Sequence, residues 1–246
     1  MATFYQRNLP HWQPDGAIFF VTWRLRDSLS KAEVKKIEES RKAFEQEATK
    51  EGESESEKKV RRFKMLFAVY DALLDNAEQG PYWLKDDRIA EIFVTTLLQR
   101  YQDLYQLWAY VVMANHVHVL LEPKLEQSEA RSTAGGVQYV KLSKITQALK
   151  GFSALQANRI LNRSGKPFWQ DESYDYWARD EAEFYRIVSY IENNPVKAGL
   201  TSKPEDWRWS SAAERRRRGY NEIKPLTKPE QAKARSTFRN HVRYSS

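Results

Sequence analysis

Two apolar runs, residues 107–113 (LWAYVVM) and 116–122 (HVHVLLE), are separated only by Ala114 and Asn115. A chain can reverse in that space only through a tight turn, so the runs predict two adjacent antiparallel strands. A lone hairpin is marginal in water and needs further strands beside it. Residues 17–25 (AIFFVTWRL) read as one, with Phe19, Val21, Trp23 and Leu25 sharing a face. A short strand is expected near residues 174–178.

Helical spacing fills the intervals. Ser30 and Glu33 form an S-x-x-E capping box ahead of a helix with Val34, Ile37 and Phe44 on its apolar side. Residues 45–62 are almost all polar and charged and read as a surface insertion, either a solvated helical hairpin or a linker. Phe63, Phe67, Tyr70 and Leu74 mark the next helix, and residues 86–100 and 138–158 two more. Asp180 and Glu183 form a second capping box before a helix over 181–194, which Pro195 should end. The predicted class is α+β: a ferredoxin-like (RRM-like) antiparallel sheet with helices on one face, the charged insertion, and a basic C-terminal tail. Residues 1–211 form the expected domain and 212–246 the tail.

The 246 residues contain no cysteine, which excludes disulfides, iron–sulfur clusters, thiolate zinc sites and a cysteine nucleophile. No run approaches a membrane span and the first ten residues lack an apolar signal region, so a soluble intracellular protein is expected. The formal charge of +7 is modest, but residues 131–246 hold 22 Lys and Arg against 12 Asp and Glu. Basic charge with 13% aromatic residues is the mix that single-stranded nucleic acid binders use.

Of four histidines, His116 and His118 stand two apart on a predicted strand and so face the same side. Paired imidazoles can chelate a divalent metal, and the same spacing suits two histidines on a solvated sheet face. With no thiolate available, oxygen must complete any such metal shell. On the helix over 181–194, Phe184, Ile187, Val188 and Ile191 form the apolar stripe. Tyr190 and Asn194 project together about a quarter-turn from its centre, where a side chain reaches a cleft beside the sheet.

The segments LPHWQPDGAIFFVTWRL, YWLKDDRIAEI, VVMANHVHVLLEP, KLSKITQALKGFSA, FWQDESYDYWARDEAEF, YIENNPVKAGL and EDWRWSS occur in that order over about residues 9–211. Together they resemble the single-tyrosine HUH transposases, and within them the REP-associated tyrosine transposases. Ala114 stands where the family pattern has Pro, outside the metal-binding positions, and the charged insertion is unlike the shortest members.

The resemblance implies that Tyr190 is the nucleophile and that His116, His118 and Asn194 bind Mg²⁺ or Mn²⁺. It implies attack on a scissile DNA phosphate to give a 5′-phosphotyrosine and a free 3′-hydroxyl. The implied substrate is single-stranded DNA folded as a REP-type hairpin, bound by a monomer or homodimer in a bacterial cytoplasm, at the nucleoid and not at a membrane. Lys144, Lys150, Arg163, Lys166, Arg179 and Lys197 are the candidate phosphate contacts. Trp169 is either a base-stacking platform or a core anchor. The run Arg215, Arg216, Arg217 and Arg218 is either a grip on the hairpin backbone or a solvated helix face. Two other functions suit this scaffold: a non-catalytic single-stranded nucleic-acid binder, and a metal-dependent hydrolase using water.

Overall fold

The computed structural model describes residues 3–6, 10–77, 79–126 and 138–227. Strands β1 (Thr3–Gln6) and β2 (Pro10–Gln13) pair antiparallel ahead of the main sheet. The main elements then run β3 (Ile18–Arg24), α1 (Lys31–Gln46), α2 (Glu55–Asp75), α3 (Asp87–Thr95), β4 (Tyr105–Val112), β5 (His116–Pro123), α4 (Leu142–Ile160), β6 (Tyr174–Ala178), α5 (Glu181–Lys197) and α6 (Ser211–Arg218). Strands β3 to β6 form one antiparallel sheet in the order β4-β5-β3-β6. That is the strand order of a ferredoxin-like α+β fold.

Alternation along β3 sends its side chains to two different cores. Phe19, Val21, Trp23 and Leu25 pack with Ile89 and Phe93 of α3 and with Ile145 and Leu149 of α4. Ile18 and Phe20 pack with Leu66, Tyr70 and Leu74 of α2 and with Phe184, Ile187, Val188 and Ile191 of α5. Helices therefore cover both faces, not the one face expected from the strand pattern. The run IFFVTWR is buried at every position, the signature of a strand with no solvated side.

The charged stretch resolves as a helical hairpin. Ser30 and Ser54 each close a capping box, starting α1 and α2. At the tip, Arg61 of α2 bonds Glu53 at 2.7 Å and pairs with Glu47. The run of charge is thus the outer half of α1–α2, and the inner half of α2 carries the apolar side onto the sheet.

Helix α5 continues through Pro195 to Lys197, against the expectation that it ends before the proline. The ring removes one helical hydrogen bond close to the C-terminus. Ala198 N–H to Asn194 C=O and Leu200 N–H to Pro195 C=O still close the last turn. Burial of Ile191, Asn194 and Pro195 offsets the local preference. Its first turn is half a capping box: Asp180 accepts from Glu183 N–H, while the Glu183 carboxylate accepts from Arg179 N–H instead.

The segment after residue 201 belongs to the folded body as far as Thr227. Val112 N–H donates to Trp209 C=O, and Leu226 N–H to Leu107 C=O, so this segment covers the free edge of β4. A register shift bulges β4 at Trp108, and its carbonyl accepts from Arg215 of α6. Among the described residues, no helix is long and apolar enough to cross a membrane.

Candidate functional site

Strand β5 sets His116 and His118 side by side, with ring centroids 4.7 Å apart, on the face covered by α2 and α5. Neither is solvated: they are 1% and 0% exposed. Asn115 fixes the first ring. Its amide N–H donates to Leu74 C=O at 3.0 Å, which turns its oxygen onto His116 Nδ1 at 2.7 Å. The oxygen can only accept, so Nδ1 carries the proton and Nε2 presents a lone pair. Thr22, the cross-strand partner of His118, bonds that ring's Nδ1 at 2.8 Å.

Both Nε2 atoms point toward α2. His118 Nε2 lies 3.3 Å from Asp71 Oδ1, and His116 Nε2 lies 3.9 Å from Asp75 Oδ1. Asp71, His116 and His118 present ligand atoms all within 4.8 Å of one another. From α5, Tyr190 stands 5.6 Å from the His118 ring, and Asn194 is buried one turn further on. Lys197, another turn along, bonds Asp71 at 3.2 Å and Asp75 at 3.1 Å.

Buried polar groups nearly always find partners. Here both Nε2 atoms, Asp71 Oδ1, Asp75 Oδ1, the Tyr190 hydroxyl and both amide atoms of Asn194 are buried without a protein partner. Two imidazole nitrogens beside carboxylate and amide oxygens are the donor set of a divalent cation site. The residues present therefore fit a metal.

The electrostatics follow from crowding. Burial, then the neighbouring His118, lowers the His116 pKa to about 3, so its imidazole is neutral. Burial works to raise Asp71, but His118 and Tyr190 outweigh it and hold the carboxyl well below its usual range. Burial and the Asp71 charge raise Asp75. Burial, then Asp71, also pushes the Tyr190 phenol well above its ordinary value of 10. Beside Tyr190 a pocket of about 350 Å³ is lined by aromatic rings, including Phe63, Phe67 and Tyr176, and by the cations Lys64 and Arg186.

The structure thus gathers His116, His118, Tyr190, Asn194 and Lys197 on one face. Most of the other predicted contacts stand elsewhere. Lys150 and Lys166 line a cleft of about 780 Å³ between α4 and the loop before β6, on the opposite sheet face. Lys150 bonds Gln170 C=O and Asp171 C=O, and burial lowers its pKa to about 8. Lys144 bonds Glu126, Arg163 lies over the Trp83 ring, and Arg179 bonds Glu183. Trp169 is 5% exposed and donates to Ser153 Oγ, so it is a core anchor, not a stacking platform.

The four-arginine run lies on α6, not in an open tail, and each member has a carboxylate partner. Arg215 is 6% exposed and pairs with Glu192; Arg216 pairs with Asp206; Arg217 and Arg218 pair with Glu214. Arg215 is therefore a packing residue. Side chains of the histidines at 11 and 241 fall outside the described residues.

Asp71, Asp75, Lys64 and Arg186 were missed in the sequence. The available signal was two acids four apart beside the apolar positions Tyr70 and Leu74, because acids on a helix's buried side need a partner.

No family model matches the chain. Among curated proteins, one named "Putative REP-associated tyrosine transposase" from Haemophilus influenzae is 28% identical over 104 residues, which is 42% of this chain and 56% of that protein. The chain thus spans about half the length of the curated relative it matches. A solved structure of a REP-associated tyrosine transposase bound to a REP hairpin matches at 15% identity with a TM-score of 0.49, covering 95% of this chain and 97% of that one. The resemblance carried by the sequence motifs is therefore also found by direct comparison with a curated protein.

Proposed function

We propose that this protein is a metal-dependent enzyme that nicks and rejoins single-stranded DNA at REP-type hairpins, with Tyr190 as nucleophile. The supporting observation is one buried cluster with unpartnered donors, His116 and His118 on β5, Asp71 on α2, and Tyr190 and Asn194 on α5. His116, His118 and Asp71 would hold Mg²⁺ or Mn²⁺, with the Asn194 amide oxygen as a further donor. When bound, the cation supplies charge neutralisation and polarisation at the scissile phosphate.

The chain's own residues do the rest. The Tyr190 oxygen forms a bond to phosphorus as the bond from phosphorus to the 3′ oxygen breaks. The products are a 5′-phosphotyrosine and a 3′-hydroxyl, and the reverse attack by another 3′-hydroxyl rejoins the strand. Burial, and after it the Asp71 charge, set the state of the nucleophile. That charge helps keep the phenol protonated, so whatever neutralises Asp71 lowers the phenol's pKa and favours attack. Lys64 and Arg186 beside Tyr190 are suited to the flanking phosphates.

The test incubates labelled hairpin single-stranded DNA with the protein and Mn²⁺, followed by denaturing electrophoresis. A denaturation-resistant protein–DNA adduct is expected for the wild type and none for Tyr190→Phe. An adduct that persists in Tyr190→Phe removes Tyr190 from the role. Cleavage without any adduct replaces this reading with the hydrolase.

A further inference from the structure

We propose that the cation site takes two carboxylates, Asp71 and Asp75, one facing each histidine, and that Lys197 is a built-in counter-cation which the metal displaces. The inference deepens the metal-dependent reading above and rests on it. Its basis is how the two elements match. Four residues along a helix advance about 6 Å. Two residues along a strand advance about 6.8 Å. Asp71 and Asp75 on α2 therefore run in step with His118 and His116 on β5.

The observed pairs follow that step: Asp71 Oδ1 stands 3.3 Å from His118 Nε2, and Asp75 Oδ1 stands 3.9 Å from His116 Nε2. All four of these atoms are buried and lack a hydrogen-bond partner. The histidines cannot turn away, because their Nδ1 atoms are engaged by Asn115 and Thr22.

Each carboxylate divides its two oxygens. The Oδ1 atoms face the imidazoles, and both Oδ2 atoms are bonded by the single ammonium of Lys197. Two buried carboxylates so close together repel and are costly without a compensating cation. Lys197 provides that charge from outside: its side chain is 57% exposed, while those of Asp71 and Asp75 are 3% and 9% exposed. It is the one member of the cluster able to swing into solvent without disturbing the core. Its ammonium also stands 6.0 Å from the centre of the Tyr190 ring. Once released, it remains on the nucleophile's side of the site, available to a DNA phosphate.

The experiment is a calorimetric titration of the full chain with Mn²⁺ in the absence of DNA, with bound Mn²⁺ also followed by electron paramagnetic resonance. Wild type binds one equivalent. Asp75→Asn removes a ligand and weakens binding by at least about tenfold. Lys197→Met keeps every ligand and removes the competing cation, so it binds Mn²⁺ several-fold more tightly and its melting temperature rises more on Mn²⁺ addition. Unchanged affinity in Asp75→Asn, or affinity in Lys197→Met no tighter than wild type, overturns the inference. If Asp75→Asn does not fold, the Lys197→Met comparison decides alone. Wild type that binds no Mn²⁺ overturns the metal-dependent reading together with this one. Wild type that binds Mn²⁺ and forms the DNA adduct, with variants indistinguishable from it, overturns only the two-carboxylate site.

Discussion

Glu183 shows how one side chain can hold a helix start, a strand and the rim of the site together. Its carboxylate is 2% exposed and accepts from Lys64 at 2.6 Å, Tyr176 at 2.7 Å and Arg179 at 2.9 Å. Burial alone would raise its pKa, but Arg179, Lys64 and Tyr176 outweigh burial and lower it to about 2. A carboxyl depressed in the folded state stabilises above its unfolded pKa, and that stability is lost as pH falls through the folded one. The window is therefore about pH 4.5 down to about 2, and the loss amounts to roughly 3 kcal/mol at most. Urea midpoints measured at pH 5 and pH 3 should fall for wild type and fall much less for Glu183→Gln. An equal fall in both would remove Glu183 as the cause. At this same scale the sequence was readable only in part. The H-x-H spacing and the Tyr190–Asn194 turn are visible because strand and helix periods alone place them. Asp71 and Asp75 are not, because they follow a long run of ordinary surface charge. Only the packing of α2 on β5, a contact between distant parts of the chain, makes them buried.

At the scale of elements, the largest difference from the sequence concerns α6. A run of four arginines reads as a grip on DNA or a solvated helix face, yet the Ser210 cap and Gly219, with φ of 66°, frame a short helix that docks on β4 and buries Arg215. The β4 bulge at Trp108 is the physical reason. It leaves a carbonyl that Arg215 takes while also pairing with Glu192 of α5. Arg215 thus ties α6, β4 and α5 together. Arg215→Ala leaves Glu192 partly buried without its cation, and the expected loss is about 3 kcal/mol, read as a lower urea midpoint. A variant of unchanged stability with weakened DNA binding would instead return Arg215 to the surface role. Pro195 teaches a related point. Local preference alone stops α5 at Asn194, whereas tertiary burial carries it one turn further, and that turn brings Lys197 to Asp71 and Asp75.

For the whole molecule, the ferredoxin-like antiparallel sheet was legible because its strands are short apolar runs set between helical spacings and the β4–β5 turn is tight. The second helical layer was not legible, since alternation does not say what covers the far face. That layer gives the molecule two unlike sides. One carries the α3 and α4 core with the cleft holding Lys150 and Lys166, and the other carries the α2 and α5 core with Tyr190 and the Asp71, His116 and His118 cluster. Among the described residues, the basic side chains of the second half of the chain thus stand on both sides, and several are held in ion pairs. In the proposed reaction, Tyr190 takes the 5′ phosphate of the cleaved strand. The direct measurement uses one REP-type hairpin oligonucleotide labelled at either end, incubated with protein and Mn²⁺ and run under denaturing conditions. A 3′ label is expected to travel with the protein, while a 5′ label appears on a shorter free strand ending in a 3′-hydroxyl. A 5′ label on the protein, or two free fragments with no label on the protein, contradicts that reaction.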